Sequence, residues 1–124
     1  MAAPNIVNVS TITAKTTYLT PANTSANVLL ANSAGSNKVF KINTIMATNI
    51  DGASAVAATV SVNTAAGGGG TSYQIASTIS VPANSSLIVS DKSTALYLEE
   101  DKSILVTSGT ASKIAYVISY EEIS

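Results

Sequence analysis

The chain contains no cysteine, no histidine, no tryptophan and no arginine. Without cysteine there is no disulfide and no thiolate metal site. Without histidine the usual proton shuttle near neutral pH and the commonest metal ligand are missing. The bidentate fork that grips phosphates and carboxylates goes with arginine. Serines are many, but no histidine can activate one and no GxSxG elbow is present. The protein is therefore expected not to be an enzyme, with no catalytic, cofactor-binding or metal-binding residues and no cofactor. Charge is scarce as well. Six lysines and seven acids give a net charge of −1 and make up 10% of the chain, against about a quarter in ordinary soluble domains. The lysines are scattered at positions 15, 38, 41, 92, 102 and 113, so the basic patch that carries nucleic-acid affinity is absent. No apolar run approaches the ~20 residues needed to cross a bilayer, and MAAPNIVNVS lacks the basic-then-apolar order of a secretory leader. The expectation is a soluble chain that binds neither nucleic acid nor membrane. A surface so poor in charge is weakly protected against self-association, so much of it is expected to be covered in an assembly.

What is present is Thr, Ser, Val, Ile and Asn, and β-branched side chains favour extended backbone. Apolar residues recur with period two, interrupted by Asn, Gly, Pro and Ser clusters roughly every eight to twelve residues, which predicts a sandwich or barrel. The expected extended runs are 6–13, 16–20, 27–32, 38–50, 55–63, 72–79, 87–90, 94–98, 102–109 and 113–122. Within 38–50, Phe40 and Ile42 share a parity that Ile45 breaks, which predicts a bulge near Asn43 and Thr44. Asp51-Gly52 is a dipeptide suited to a turn with positive φ. In 55–63, Val56, Ala58, Val60 and Val62 face one way. In 113–122, Ile114, Tyr116, Ile118 and Tyr120 alternate with Ala115, Val117, Ser119 and Glu121. Both faces are apolar as far as Val117, which predicts a central strand covered on both sides. Tyr73, Tyr116 and Tyr120 share parities with isoleucine and are expected in the core, hydroxyls at its rim. With no linker in sight, residues 1–124 are expected to form one all-β domain, a single antiparallel β-sandwich.

Two stretches invite a chemical reading. NTAAGGGGTSYQIAS places four glycines between two alternating runs. A Walker-type phosphate loop needs Lys and then Ser or Thr after its last glycine, and a helix beyond. Gly70 is followed by Thr71, Ser72 and Tyr73, with no lysine before Lys92. The stretch is read as the tip of a β-hairpin, mobile unless a neighbouring subunit packs on it. The second stretch is the acidic run Glu99, Glu100 and Asp101. Neighbouring residues of a strand point to opposite faces, so these carboxylates do not converge without a sharp turn. A calcium ion would need backbone carbonyls, Asp51 or Asp91 in support. The simpler reading is a charged turn.

A cadence runs through residues 38–124: NTIMATNIDGASAVAATVSVN, then YQIASTISVPANSSLIVSDKSTALYLEEDKSILVTSG, then IAYVISYEEIS. It resembles the small virion structural proteins of tailed bacteriophages, especially contractile-tailed marine cyanophages. The resemblance implies a jelly-roll-like β-sandwich, a homo-oligomer with a trimer favoured, and no enzymatic activity. It implies a capsid decoration or cement protein that stabilises the shell, bound to the major capsid protein or another virion protein. Its place would be the virion, assembled in the bacterial host cytoplasm. A tail, neck or fibre-associated protein is the nearest alternative. A host-surface carbohydrate-binding module, with the tyrosines and the acidic corner as its site, is the alternative from another class. Residues 1–13 are expected to serve as an N-terminal docking arm or an edge strand.

Overall fold

The computed structural model describes residues 9–124. Its strands are Ile12–Leu19 (β1), Asn27–Asn32 (β2), Val39–Asn49 (β3), Val56–Asn63 (β4), Ser72–Val81 (β5), Ser86–Ser90 (β6), Leu96–Leu98 (β7), Lys102–Ser108 (β8) and Ile114–Ile123 (β9). One sheet runs in the order β1, β9, β3, β6, with β7 also paired to β3; the other runs β2, β8, β4, β5. Every pairing is antiparallel. Consecutive strands therefore alternate between layers except at the β4–β5 hairpin and around β7, the connectivity of a jelly roll. The expected all-β sandwich is what the chain forms.

The inner faces meet in one apolar cluster. The first sheet supplies Phe40, Ile42, Ile45, Ala47, Leu98, Ile114, Tyr116, Ile118 and Tyr120; the second supplies Leu29, Leu30, Val56, Ala58, Val60, Val81, Ile104 and Val106. Phe40 and Ile45 both reach it because the β3–β9 register shifts between Ile42 and Thr44, where the parity break placed a bulge. Tyr116 does more than fill space. From β9 its hydroxyl donates to the Thr107 carbonyl and accepts from the Thr59 amide at 3.3 Å, so one phenol ties the first sheet to two strands of the second.

Three strands end on a fully buried asparagine that fastens the adjoining loop. Asn32 donates to the carbonyls of Lys38 (2.9 Å) and Leu98 (3.0 Å) and accepts from Ser36 Oγ (2.6 Å). Asn49 donates to the carbonyls of Ser54 and Val81, both at 2.9 Å, and accepts from the Asp51 amide at 2.8 Å. Asn63 holds the glycine-rich segment in the same way. An amide side chain both donates and accepts, so it can replace the ladder partners a chain loses when it leaves a sheet.

Several expectations are corrected. The runs 6–13 and 16–20 are not separate strands: β1 is continuous from Ile12 to Leu19. Lys15 does not interrupt it, because its ammonium meets Glu122 of β9 at 3.1 Å. Of the proposed arm 1–13, residues 1–8 lie outside the described residues, whereas Ile12 and Thr13 belong to β1, which among the described residues pairs only with β9. The run 94–98 shortens to Leu96–Leu98, since Asp91 caps a short 3-10 turn over Lys92–Thr94. Asp51-Gly52 joins the two layers rather than closing a hairpin, and neither residue has positive φ; the Asp51 carboxylate instead accepts from the Ala53 amide at 2.9 Å. β9 is central, but only its inner face is covered, leaving Val117 38% exposed. Tyr116 and Tyr120 are buried as expected, but the Tyr116 hydroxyl lies between the sheets rather than at the rim; Tyr73, on the edge strand β5, is 64% exposed.

Candidate functional site

The glycine-rich segment is a hairpin tip between β4 and β5, and its own chain pins it. Asn63 Oδ1 accepts from the amides of Ala65 (2.9 Å) and Gly70 (3.0 Å), while its Nδ2 donates to the Gly70 carbonyl (3.2 Å) and Ser72 Oγ (2.9 Å). Ser103 Oγ donates to the Ala65 carbonyl at 2.8 Å. Gly68, at φ +85°, lies against Leu105 and Val28 on the outer side of the second sheet. Its left-handed backbone is one that a β-carbon disfavours. The expected mobile tip is thus a cover over Leu105, leaving that residue only 6% exposed. No lysine follows its last glycine before Lys92, and a strand rather than a helix comes next, so the segment lacks the parts of a Walker-type phosphate loop.

The acidic corner disperses. Glu99 is exposed. Glu100 Oε2 accepts from the Gly35 amide at 3.1 Å, and Asp101 Oδ1 accepts from the Ala66 amide at 3.3 Å. Glu100 and Asp101 therefore steady the β2–β3 turn and the glycine segment respectively. Among the described residues no group of three or more acids is placed to hold a metal ion, and no pocket opens. Glu122 is the best-paired acid, between Lys38 Nζ at 2.7 Å and Lys15 Nζ at 3.1 Å. The Lys38 hydrogen bond leads in holding its carboxyl below the ordinary value, partly opposed by burial.

The feature that stands out is the outer face of the β1, β9, β3, β6 sheet. Tyr18 lies opposite Val117, Val117 opposite Met46, and Met46 opposite Ile88. These side chains form one row across all four strands, exposed by 77%, 38%, 36% and 61% in that order. Residues directly opposite on adjacent strands touch, so the row is a continuous apolar strip about 14 Å from first strand to last. Further along the same face, Lys41 Nζ lies 4.0 Å from Glu121 Oε2, with Tyr97 beside Lys41 on β7. Tyr18, Tyr73 and Tyr97 are the exposed tyrosines. Tyr18 and Tyr97 stand on strands at opposite sides of this face, and Tyr73 belongs to the other sheet, so they share no common groove for a sugar.

No protein-family model matches the sequence, and no curated protein matches it. Among solved structures, the chain is similar to one from Bacillus endospore appendages, which form disulfide-linked pili. The TM-score is 0.51 with 16% identity, and the alignment covers 92% of this chain and 88% of that one. At that identity the likeness is one of fold, a β-sandwich over nearly the whole chain.

Proposed function

We propose that the protein is a non-enzymatic structural subunit that works in many copies as part of a larger particle. In its specific form, resting on the sequence resemblance, it is a decoration protein on the head of a tailed phage, bound to the major capsid protein or another virion protein. A tail, neck or fibre position in the same particle is the alternative. The observation that carries the proposal is the uncovered apolar strip Tyr18, Val117, Met46 and Ile88 on a chain with so few charges. Contiguous exposed apolar surface marks contact sites, and little charge is available here to keep copies apart. The fold it shares with a pilus-forming chain lends support, since such sandwiches serve in repeating assemblies. Copies of this cysteine-free chain would be held without disulfides, by weak contacts that repetition multiplies.

Two measurements test this. Light scattering on the purified protein should give a multiple of the 12.5 kDa chain mass. An antibody against it should label particles of the phage that carries its gene, on the head under the first form and on the tail or neck under the second. Particles that carry no label remove the virion reading.

A further inference from the structure

We infer that the outer face of the β1, β9, β3, β6 sheet pairs with the same face of a second copy, about a two-fold axis running along the strands between β9 and β3. The inference rests on the multi-copy reading and names the contact through which copies meet. The face is complementary to itself. Rotation about that axis lays β9 of one copy over β3 of the other, and β1 over β6, given the sheet order. Val117 then meets Met46 of the second copy and Tyr18 meets Ile88, because all four share one row. In the row that holds the ion pair, Lys41 and Glu121 sit opposite each other on β3 and β9, so each faces its opposite charge across the axis. Apolar falls on apolar and base on acid. An axis running across the strands, along the apolar row, would instead carry Lys41 and Glu121 of the second copy to the far end of the face, and the charges of the two copies would not meet.

Size and geometry agree. Strands of 8, 10, 11 and 5 residues, about 4.8 Å apart and about 3.3 Å per residue, present a plane of roughly 500 Å². Corrugated by side chains, it approaches the about 800 Å² per partner of a standard interface. Face-to-face sheets pack about 30° from parallel, which displaces the charged row sideways by several ångströms; Lys and Glu side chains are long enough to bridge that. One competing contact, edge-to-edge pairing of the uncharged strand β5, is obstructed. The β4–β5 register shifts twice, between Ala58 and Val60 and between Val60 and Ser61, and Thr78 takes φ 45°. Such bulges twist an edge away from further pairing. The pair formed through this contact is two-fold, whereas the resemblance implies a trimer, and the sedimentation mass separates the two.

Sedimentation over a concentration series, with wild type and three variants, decides the matter. Val117→Glu should weaken association at least 100-fold while leaving the circular dichroism spectrum unchanged, since Val117 projects outward. Lys41→Glu and Glu121→Lys should each weaken it, and an equimolar mixture of these two should recover it, because every acid then faces a base. If wild type associates but none of the three changes its mass, the contact lies elsewhere and only the multi-copy reading survives. A mixture that fails to recover overturns the two-fold arrangement. A wild type that is monomeric at every concentration overturns the multi-copy reading and this contact together.

Discussion

Tyr116 spends its hydroxyl between the sheets, on the backbone of Thr107 and Thr59. Replacing it by Phe keeps the ring and strands a buried carbonyl, so Tyr116→Phe is expected to cost about 1–2 kcal/mol in urea unfolding. Burial also pushes its pKa up to about 12, against about 10 when unfolded. Between those values the unfolded chain gives up the proton and the folded chain keeps it, so stability falls as pH rises through the window. The difference between wild type and Tyr116→Phe should therefore shrink from about pH 10 to 12. Asn49 is a second residue whose loss propagates. Asn49→Ala would leave the carbonyls of Ser54 and Val81 and the amide of Asp51 without their partner, an expected cost of about 2–4 kcal/mol by the same measurement.

Among the elements, the glycine segment yields the sharpest contrast. A β-carbon on Gly70 would run into Thr64 Oγ1 and crowd Ala65 N and Asn63 Oδ1 at 3.0 and 3.1 Å, whereas at Gly69 it would meet nothing within 4 Å. Gly70→Ala should lower the melting temperature by several degrees, and Gly69→Ala should leave it unchanged or raise it slightly through unfolded-state entropy. That this segment turns the chain was legible, because two alternating runs flank it and the phosphate-loop lysine is missing. Its fastening was not, since Asn63 looks in sequence like any strand-ending asparagine and Leu105 like any core leucine. The β3 bulge was legible because Ile45 breaks parity visibly. The gap between the runs 6–13 and 16–20 closes in the structure, where Lys15 sits within β1 and its ammonium reaches Glu122 across the ladder. The apolar row lay out of reach. Alternation marks Val117 as opposite in facing to Tyr116, but which residues lie beside it depends on three strand pairings, one with a register shift between Ile45 and Met46. The acidic corner is the converse: it was legible as a charged turn, and Glu100 and Asp101 do form the turn before β8, with their carboxylates bonded to different loops.

For the molecule as a whole, stability and assembly turn on the anchoring of β1 and on the bare outer face. Glu122 joins β1 to the start of β3 through Lys15 and Lys38. Because its folded pKa is depressed, the stability it adds is fully present above the unfolded value of about 4.3 and is lost as pH falls through the lower folded value. Glu122→Gln should thus cost about 1 kcal/mol at neutral pH and flatten the acid limb of the melting curve. The bare face belongs to assembly, and light scattering at graded concentrations addresses it most directly. The account predicts a mass that rises to an integral multiple of 12.5 kDa. A single 12.5 kDa species persisting to the solubility limit would contradict it.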